Sequence, residues 1–233
     1  MQLDFRYRHF KSEVIMMAMR WYLSYSLSYR EVEELLQERG ILVDHSTIQR
    51  WVERYASQLE NIFRKKHKRH GSYLSWRMDE TYIKLKGKWG YLYRAVDKHG
   101  DTIDFMFSET RAEQDAFAFL KKAIGSHGLP EKVTIDKSGS NEAALILLNC
   151  YLIILGLWPH LWVEDRQIKF LNNQVEQDHR FIKKRVAPML GFKSKTSLES
   201  TIAGYELIHM LRKGQFEDAG KMTVPEQFYA LAA

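Results

Sequence analysis

Residues 75–85 read Ser-Trp-Arg-Met-Asp-Glu-Thr-Tyr-Ile-Lys-Leu, a run of aromatic and β-branched residues with an acid near its centre. Such a run predicts a β-strand, and two similar runs follow at 89–96 and 102–108. The short segments between them are rich in Gly, Lys and Asp, so we expect a three-stranded antiparallel meander. Asp79 lies inside the first strand, where a carboxylate is costly to bury unless a cation or a hydrogen-bond donor compensates it.

Downstream of the meander, helical and strand patterns alternate. Helical patterns at 112–124 and 142–155 flank a short apolar strand, 132–136, that ends in Asp136. A short strand near 162–163 and two more helical patterns complete the chain. Antiparallel strands followed by alternating helices and strands predict a mixed α/β sheet with flanking helices, in the order of a ribonuclease H-like core.

One of the late helical patterns, residues 172–185, reads Asn-Asn-Gln-Val-Glu-Gln-Asp-His-Arg-Phe-Ile-Lys-Lys-Arg. At about 100° per residue, Glu176, His179 and Lys183 share one face of this helix. Asp178 falls on the apolar side, where we expect a hydrogen-bonded structural role. A catalytic helix that binds a metal through its acid and a phosphate through its lysine would have this arrangement. An ordinary amphipathic surface helix would have it too, so both interpretations stay open.

Three acids occupy positions from which they can converge. The strands that carry Asp79 and Asp136 are neighbours in a ribonuclease H-like sheet, and the late helix can add Glu176. Two Mg²⁺ ions about 4 Å apart, with Mn²⁺ as the alternative ion, suit such a set of carboxylates and the chemistry of phosphoryl transfer. Glu80 adjoins Asp79 and is expected to point to the opposite face of the strand. Either strand acid taken alone could be structural.

Residues 1–63 predict a separate helical module. Three amphipathic patterns follow one another; the first begins near Ser12, and Ser28 and Glu31 have the spacing of a capping box at the start of the second. A turn that contains Gly40 joins the last two, as in a helix-turn-helix domain whose third helix enters the major groove. A plain three-helix bundle is the alternative. The outward side chains of the third helix that can reach base edges or phosphates include Thr47, Gln49, Arg50 and Arg54.

A basic run, residues 64–73, connects this module to the predicted catalytic region, residues 74–233. It contains Lys65 and Lys66, which beside a helix-turn-helix are expected to follow the DNA backbone. The formal net charge of +6 favours the same kind of partner.

Composition excludes several classes of site and location. The chain has a single cysteine, Cys150, which excludes an intrachain disulfide and a cysteine-based zinc site. No apolar run approaches the ~20 residues that a membrane span needs, and the first residues lack the pattern of a signal peptide. We therefore expect no membrane partner and a protein that stays in the compartment where it is made.

Short motifs in a fixed order run through nearly the whole chain. They include Val43-Asp44-His45-Ser46-Thr47-Ile48, Trp76-Arg77-Met78-Asp79-Glu80-Thr81-Tyr82-Ile83-Lys84, Ile135-Asp136-Lys137, Glu176-Gln177-Asp178-His179 and Leu211-Arg212-Lys213-Gly214-Gln215. In composition and order they resemble the DDE transposases of bacterial insertion sequences, most closely the insertion-sequence-six group.

The resemblance implies that Asp79, Asp136 and Glu176 are the metal-binding catalytic acids and that Lys183 contacts transposon-end DNA. His179 is expected beside the metal ligands or the DNA. The implied activity is Mg²⁺-dependent cleavage at the 3′ ends of the element, followed by attack of the freed 3′ hydroxyl on target DNA and formation of a cointegrate.

The implied partners are double-stranded DNA, both as the terminal inverted repeats and as the target, and a second copy of the chain, since two ends must be handled together. The implied location is the bacterial cytoplasm, with the nucleoid. Two other functions remain open: a catalytically silent DNA-binding repressor of the same element, and a general nuclease of the same fold.

Overall fold

The computed structural model describes residues 3–5, 9–67, 75–136, 139–156, 162–217 and 219–232. The chain divides into two compact units, one formed by Met1–Arg69 with Phe192–Ala233 and the other by His70–Gly191. Within the described ranges, none of the helices combines the length and the apolar character that crossing a bilayer requires.

The second unit is built on a mixed sheet. Its strands are β1 (Ser75–Leu85), β2 (Lys88–Asp97), β3 (Thr102–Ser108), β4 (Lys132–Thr134) and β5 (Glu164–Arg166). They lie in the order β3-β2-β1-β4-β5, with β1, β2 and β3 antiparallel and β4 and β5 parallel to β1. The predicted meander and the ribonuclease H-like fold are thereby confirmed.

Helices cover this sheet. In chain order, the α-helices of the described residues in both units are α1 (Ser12–Ser24), α2 (Tyr29–Gln37), α3 (His45–Lys65), α4 (Glu113–His127), α5 (Gly139–Ile154), α6 (Lys169–Val186), α7 (Lys195–Arg212) and α8 (Val224–Ala230). The core of the second unit includes side chains from β1 to β4, α4 and α5, among them Trp76, Met78, Tyr93, Phe119 and Leu148.

The last strand lies slightly later than the sequence predicts, at Glu164–Arg166 instead of 162–163. Val163 is buried and is bound by a side chain rather than by a strand partner. The amide of Asn149 donates to the carbonyl of Val163 and accepts from its N–H, both at 3.0 Å. A buried asparagine that satisfies a backbone residue in this way cannot be read from a hydrophobicity pattern.

Helix α6 packs on the sheet through one apolar stripe and one ion pair. Val175 and Ile182 are fully buried on its inner side. On the same side, Asp178 Oδ2 accepts a hydrogen bond of 2.6 Å from Nη2 of Arg94, a fully buried residue of β2. The structural role expected for Asp178 is confirmed, and this pair fixes the rotation of α6 about its axis.

In the first unit, α1, α2 and α3 form where the sequence predicts them. Ser28 and Glu31 make the predicted capping box, and Asp44 caps α3 by accepting from the N–H of Ser46 at 2.8 Å. Helix α7 packs closely on these helices at Gly204, where a Cβ atom would lie 2.5 Å from a side-chain carbon of Leu23. Glycine allows this close approach, because a Cβ atom would force the Leu23 side chain to move.

Two expected boundaries differ from the structure. Residues 192–233 were expected with the catalytic region, but α7 and α8 pack with the N-terminal helices, since α7 buries Leu198, Ile202 and Leu207 there. Arg64 and Lys65 were expected in a linker, but they form the last turn of α3. His67 then pairs with Phe216 in a β-bridge. Periodicity shows that a helix has an apolar side, but not which core that side joins.

Replacing Asp178 by Ala should lower the free energy of unfolding by about 3 kcal/mol, because the buried Arg94 loses a carboxylate partner. Urea denaturation measures this change. The double variant Arg94→Met/Asp178→Leu removes both charges and should recover most of the loss. A single variant as stable as the unmodified protein would show that the pair does not hold α6 in place.

Candidate active site

Asp79 and Asp136 lie beside each other because β1 and β4 run parallel. Trp76 is aligned with Val133 and Arg77 with Thr134, so each acid comes two residues after the last aligned pair. Carboxylate oxygens of the two residues lie within 4.8 Å of each other. The structure therefore brings together the two strand acids that the sequence analysis selected.

The third carboxylate of this group is Glu80, whose oxygen lies within the same 4.8 Å of the other two. Glu80 was predicted to point to the opposite face of β1, yet its carboxylate reaches the other two acids. Its Oε1 accepts from Nε of Arg111 at 2.8 Å, and its Oε2 accepts from Nδ2 of Asn141 at 3.0 Å. Strand alternation sets the direction of a Cβ atom, whereas these two donors determine where the longer glutamate side chain ends.

Glu80 lies in a buried, hydrogen-bonded environment. Its side chain is only 3% exposed, and each of its oxygens already accepts a hydrogen bond. The hydrogen bond from Arg111 raises the pKa of this guanidinium, which also lies 3.8 Å from Asp136 through Nη2. Glu80 thus holds a cationic side chain next to Asp136. No pattern in the sequence indicates this contact, because Arg111 is 31 residues away.

Glu176 lies on the outer face of α6 and is exposed. It shares an open cleft of about 590 Å³ with Asp79. The cleft is lined by Asp79, Asn173, Glu176, Gln177, His179, Arg180 and Lys183. The predicted common face of Glu176, His179 and Lys183 is therefore present, and it is directed into the cleft that contains the first strand acid. Glu176 lies outside the 4.8 Å group of strand acids.

His179 links the helix to the strand. The residue is 1% exposed, and its Nε2 lies 3.3 Å from Oδ2 of Asp79. It is one helical turn after Glu176, so the same face of α6 supplies both the exposed acid and the imidazole that contacts Asp79. A contact of this kind restricts the orientation of the carboxylate.

The donor set fits a divalent cation. Asp136 Oδ1 is buried and accepts no hydrogen bond from the described residues, while its other oxygen lies toward Arg111. A buried carboxylate oxygen of this kind is costly unless a cation binds it. Mg²⁺ and Mn²⁺ prefer such oxygen ligands and keep several waters, so a few carboxylates at the mouth of an open cleft suffice.

Of the residues predicted to bind DNA, His179 and Lys183 lie on α6, and the others lie on α3 or directly after it, in the other unit. Arg50 is exposed and donates to Thr47 Oγ1 at 2.8 Å. With Arg54 they line a groove of about 380 Å³ that also includes His9, Phe10, Trp51 and Tyr55. Gln49 does not line this groove; its side-chain amide donates to Glu53 at 2.9 Å. Lys65 and Lys66 are exposed at the end of α3.

Comparison with known families identifies a DDE domain over more than half of the chain. The family described as "DDE domain" matches residues 73–215, and the family described as "Transposase IS66 family" matches residues 10–129. The first match includes Asp79, Asp136 and Glu176.

Curated relatives cover most of the chain. The transposase for the insertion sequence-like element IS431mec of Staphylococcus aureus (strain Mu50) is 43% identical over 209 residues, which are 90% of this chain and 88% of that protein. The transposase for the insertion sequence element IS257 in transposon Tn4003 of Staphylococcus aureus is similar to the same extent.

Among solved structures, the chain is similar to the catalytic core domain of HTLV-2 integrase in complex with magnesium. The match has 13% identity and a TM-score of 0.39, and covers 69% of this chain and 83% of that chain. The catalytic core domain of BIV integrase matches at 16% identity with a TM-score of 0.41, over 58% of this chain and 84% of that chain.

Replacing His179 by Ala should weaken Mn²⁺ binding by about 10- to 100-fold, because Asp79 loses the imidazole that orients it. Isothermal titration measures the affinity, and His99→Ala, at the exposed β2–β3 turn, is the matched control. Thermal unfolding in EDTA shows whether each variant keeps the fold. A folded His179→Ala variant with unchanged affinity would exclude an orienting role.

Proposed function

The chain belongs to the DDE transposases of insertion sequences, and we propose that it cleaves the 3′ ends of its element and joins them to target DNA. Within the family we assign it to the insertion-sequence-six group, with a cointegrate as the product. The proposal places the protein in the bacterial cytoplasm, on the nucleoid, as at least a dimer.

One arrangement supports the catalytic part of the proposal more than any other. The parallel register of β1 and β4 sets Asp79 beside Asp136, and Glu176 lines the same cleft as Asp79. We propose these three acids as ligands of two Mg²⁺ ions, with Mn²⁺ as a substitute. When bound, the ions would supply activation of the attacking oxygen and stabilisation of the leaving oxygen.

The neighbouring side chains would position the DNA and the acids. Lys183 lies on the cleft side of α6, two turns after Glu176, where its ammonium can bind a phosphate of the transposon end. Arg180 lines the same cleft and adds a second cation. His179 would keep Asp79 oriented, and Glu80 would hold Arg111 beside Asp136.

The helical unit would recognise the terminal inverted repeats. Arg50, Thr47 and Arg54 line one groove of α3, and an arginine there can contact a guanine edge with two hydrogen bonds. Gln49 would exchange its bond to Glu53 for a contact with DNA. Lys65 and Lys66 would neutralise backbone phosphates. We assign residues 1–63 to this module and, because α7 packs on it, treat residues 192–233 as its support.

Asp79→Asn should abolish cleavage while end binding stays unchanged, because it removes a proposed metal ligand and leaves α3 intact. A labelled duplex that carries the element's end is incubated with the protein in Mg²⁺ and in EDTA, and binding is followed by gel shift. If Asp79→Asn loses both end binding and cleavage, the proposal that separate residues bind and cleave the end would be refuted. An unmodified protein that binds the true end but never cleaves it, even with two ends supplied, would favour the repressor function.

Arg50→Ala should reduce discrimination between the true end and a scrambled duplex by roughly 1–3 kcal/mol, the value expected for a lost bidentate base contact. Competition binding at fixed salt gives the ratio of the two affinities. Lys65→Ala is the control. It should weaken binding to both duplexes equally, as expected when a phosphate contact is lost. An equal loss on both duplexes for Arg50→Ala would make Arg50 a phosphate contact as well.

A further inference from the structure

Helix α5 carries no charge over most of its length. Residues 143–155 read Ala-Ala-Leu-Ile-Leu-Leu-Asn-Cys-Tyr-Leu-Ile-Ile-Leu. A helix that is apolar on all sides is normally buried on all sides. Here only one side is buried, through Ala144, Leu145, Leu148 and Leu152, which belong to the core under the sheet.

The opposite side of α5 forms a continuous apolar stripe. We define the α5 stripe as Ile146, Leu147, Cys150, Tyr151, Ile153 and Ile154. Ile146 is 58% exposed, Ile153 48% and Ile154 82%. The positions recur at the three- and four-residue spacing that places side chains on one helix face, which is also the spacing of paired helices.

The stripe is as large as the largest apolar patches that monomeric proteins usually expose. Isolated apolar side chains at a surface are ordinary, but with Leu155, which is 52% exposed, the stripe presents on the order of 600 Å². This is at the upper end of the largest patches found on monomers and is most of the roughly 800 Å² that each partner buries in a standard interface. A second helix could cover it.

The chemistry of the stripe selects the type of partner. With no charged side chain, it offers nothing to a phosphate backbone. It also offers no charge pattern by which an acidic or basic protein would be recognised. For two copies of the same chain this neutrality is an advantage, because identical surfaces meet without repulsion. Near the edge, Lys121 Nζ lies 5.4 Å from the centre of the Tyr151 ring, which leaves a cation at the rim of the stripe.

We propose that the α5 stripe packs against the same stripe of a second copy in a two-fold symmetric interface. In such an interface, residues near the axis contact their own counterparts. Cys150 is exposed and lies midway between Ile146 and Ile154 along the stripe, so the two Cys150 side chains face each other near the axis. The purpose of this dimer, holding two transposon ends, rests on the proposed function, whereas the interface itself does not.

The first test measures mass in solution for the full chain without DNA. Ile146→Lys/Ile154→Lys places two charges of the same sign on each stripe, and it should convert a dimer at tens of micromolar protein into a monomer. The matched control is Leu42→Lys/Leu190→Lys, because those side chains are 77% and 87% exposed outside α5. The control should remain dimeric. A monomeric unmodified protein, or an Ile146→Lys/Ile154→Lys variant that stays dimeric, would overturn the proposal.

The second test uses the single cysteine. A short bis-maleimide adds one thiol across each of its two double bonds, so it links two chains only where two Cys150 side chains lie close together. The unmodified protein and the Leu42→Lys/Leu190→Lys control should form a covalent dimer that the Ile146→Lys/Ile154→Lys variant lacks. A dimer in solution that gives no crosslink would place the interface elsewhere.

Binding of a single labelled end separates this proposal from the proposed function. The Ile146→Lys/Ile154→Lys variant should bind one end as tightly as the unmodified protein, because the substitutions lie outside the proposed recognition helix. If neither protein binds the end while the masses change as expected, the interface stands and the proposed function fails. If both bind the end and neither dimerises, the proposed function stands and the interface fails.

Discussion

The parallel pairing of β1 with β4 is the constraint on which the site depends. Their register places Asp79 and Asp136 at corresponding positions of neighbouring strands, with carboxylate oxygens within 4.8 Å. Two like charges at this distance repel each other, so the arrangement needs positive charge nearby. Arg111 beside Asp136 supplies such a charge, and Arg180 and Lys183 line the cleft that contains Asp79. A bound divalent cation would remove the remaining repulsion.

Helix α6 completes the site because its rotation is fixed. Val175, Ile182 and the Asp178–Arg94 pair hold one side of the helix on the sheet. Because an α-helix has 3.6 residues per turn, packing this side of α6 on the sheet leaves Glu176 and Lys183 on the side of the cleft. His179 lies between the two sides and is in contact with Asp79. A structural ion pair on one face thus determines which side chains reach the other.

Much of this arrangement follows from local patterns. Alternation predicts the meander, the capping box predicts the start of α2, and helical spacing separates Asp178 from Glu176. Contacts between distant residues do not follow. The direction of the Glu80 side chain depends on Arg111 and Asn141, and the location of α7 depends on a close approach at Gly204. These contacts join residues that are far apart in the chain, so no short sequence pattern predicts them.

We propose that Asp79, Asp136 and Glu176, rather than Glu80, bind the cation. Isothermal titration of Mn²⁺ into the Glu176→Gln and Glu80→Gln variants distinguishes the two glutamates, because each substitution removes one negative charge from the surroundings of Asp79. Binding should be lost or strongly weakened in Glu176→Gln and kept within a few-fold in Glu80→Gln. Unchanged binding in Glu176→Gln together with its loss in Glu80→Gln would contradict the account and would assign the cation to the three carboxylates of the 4.8 Å group.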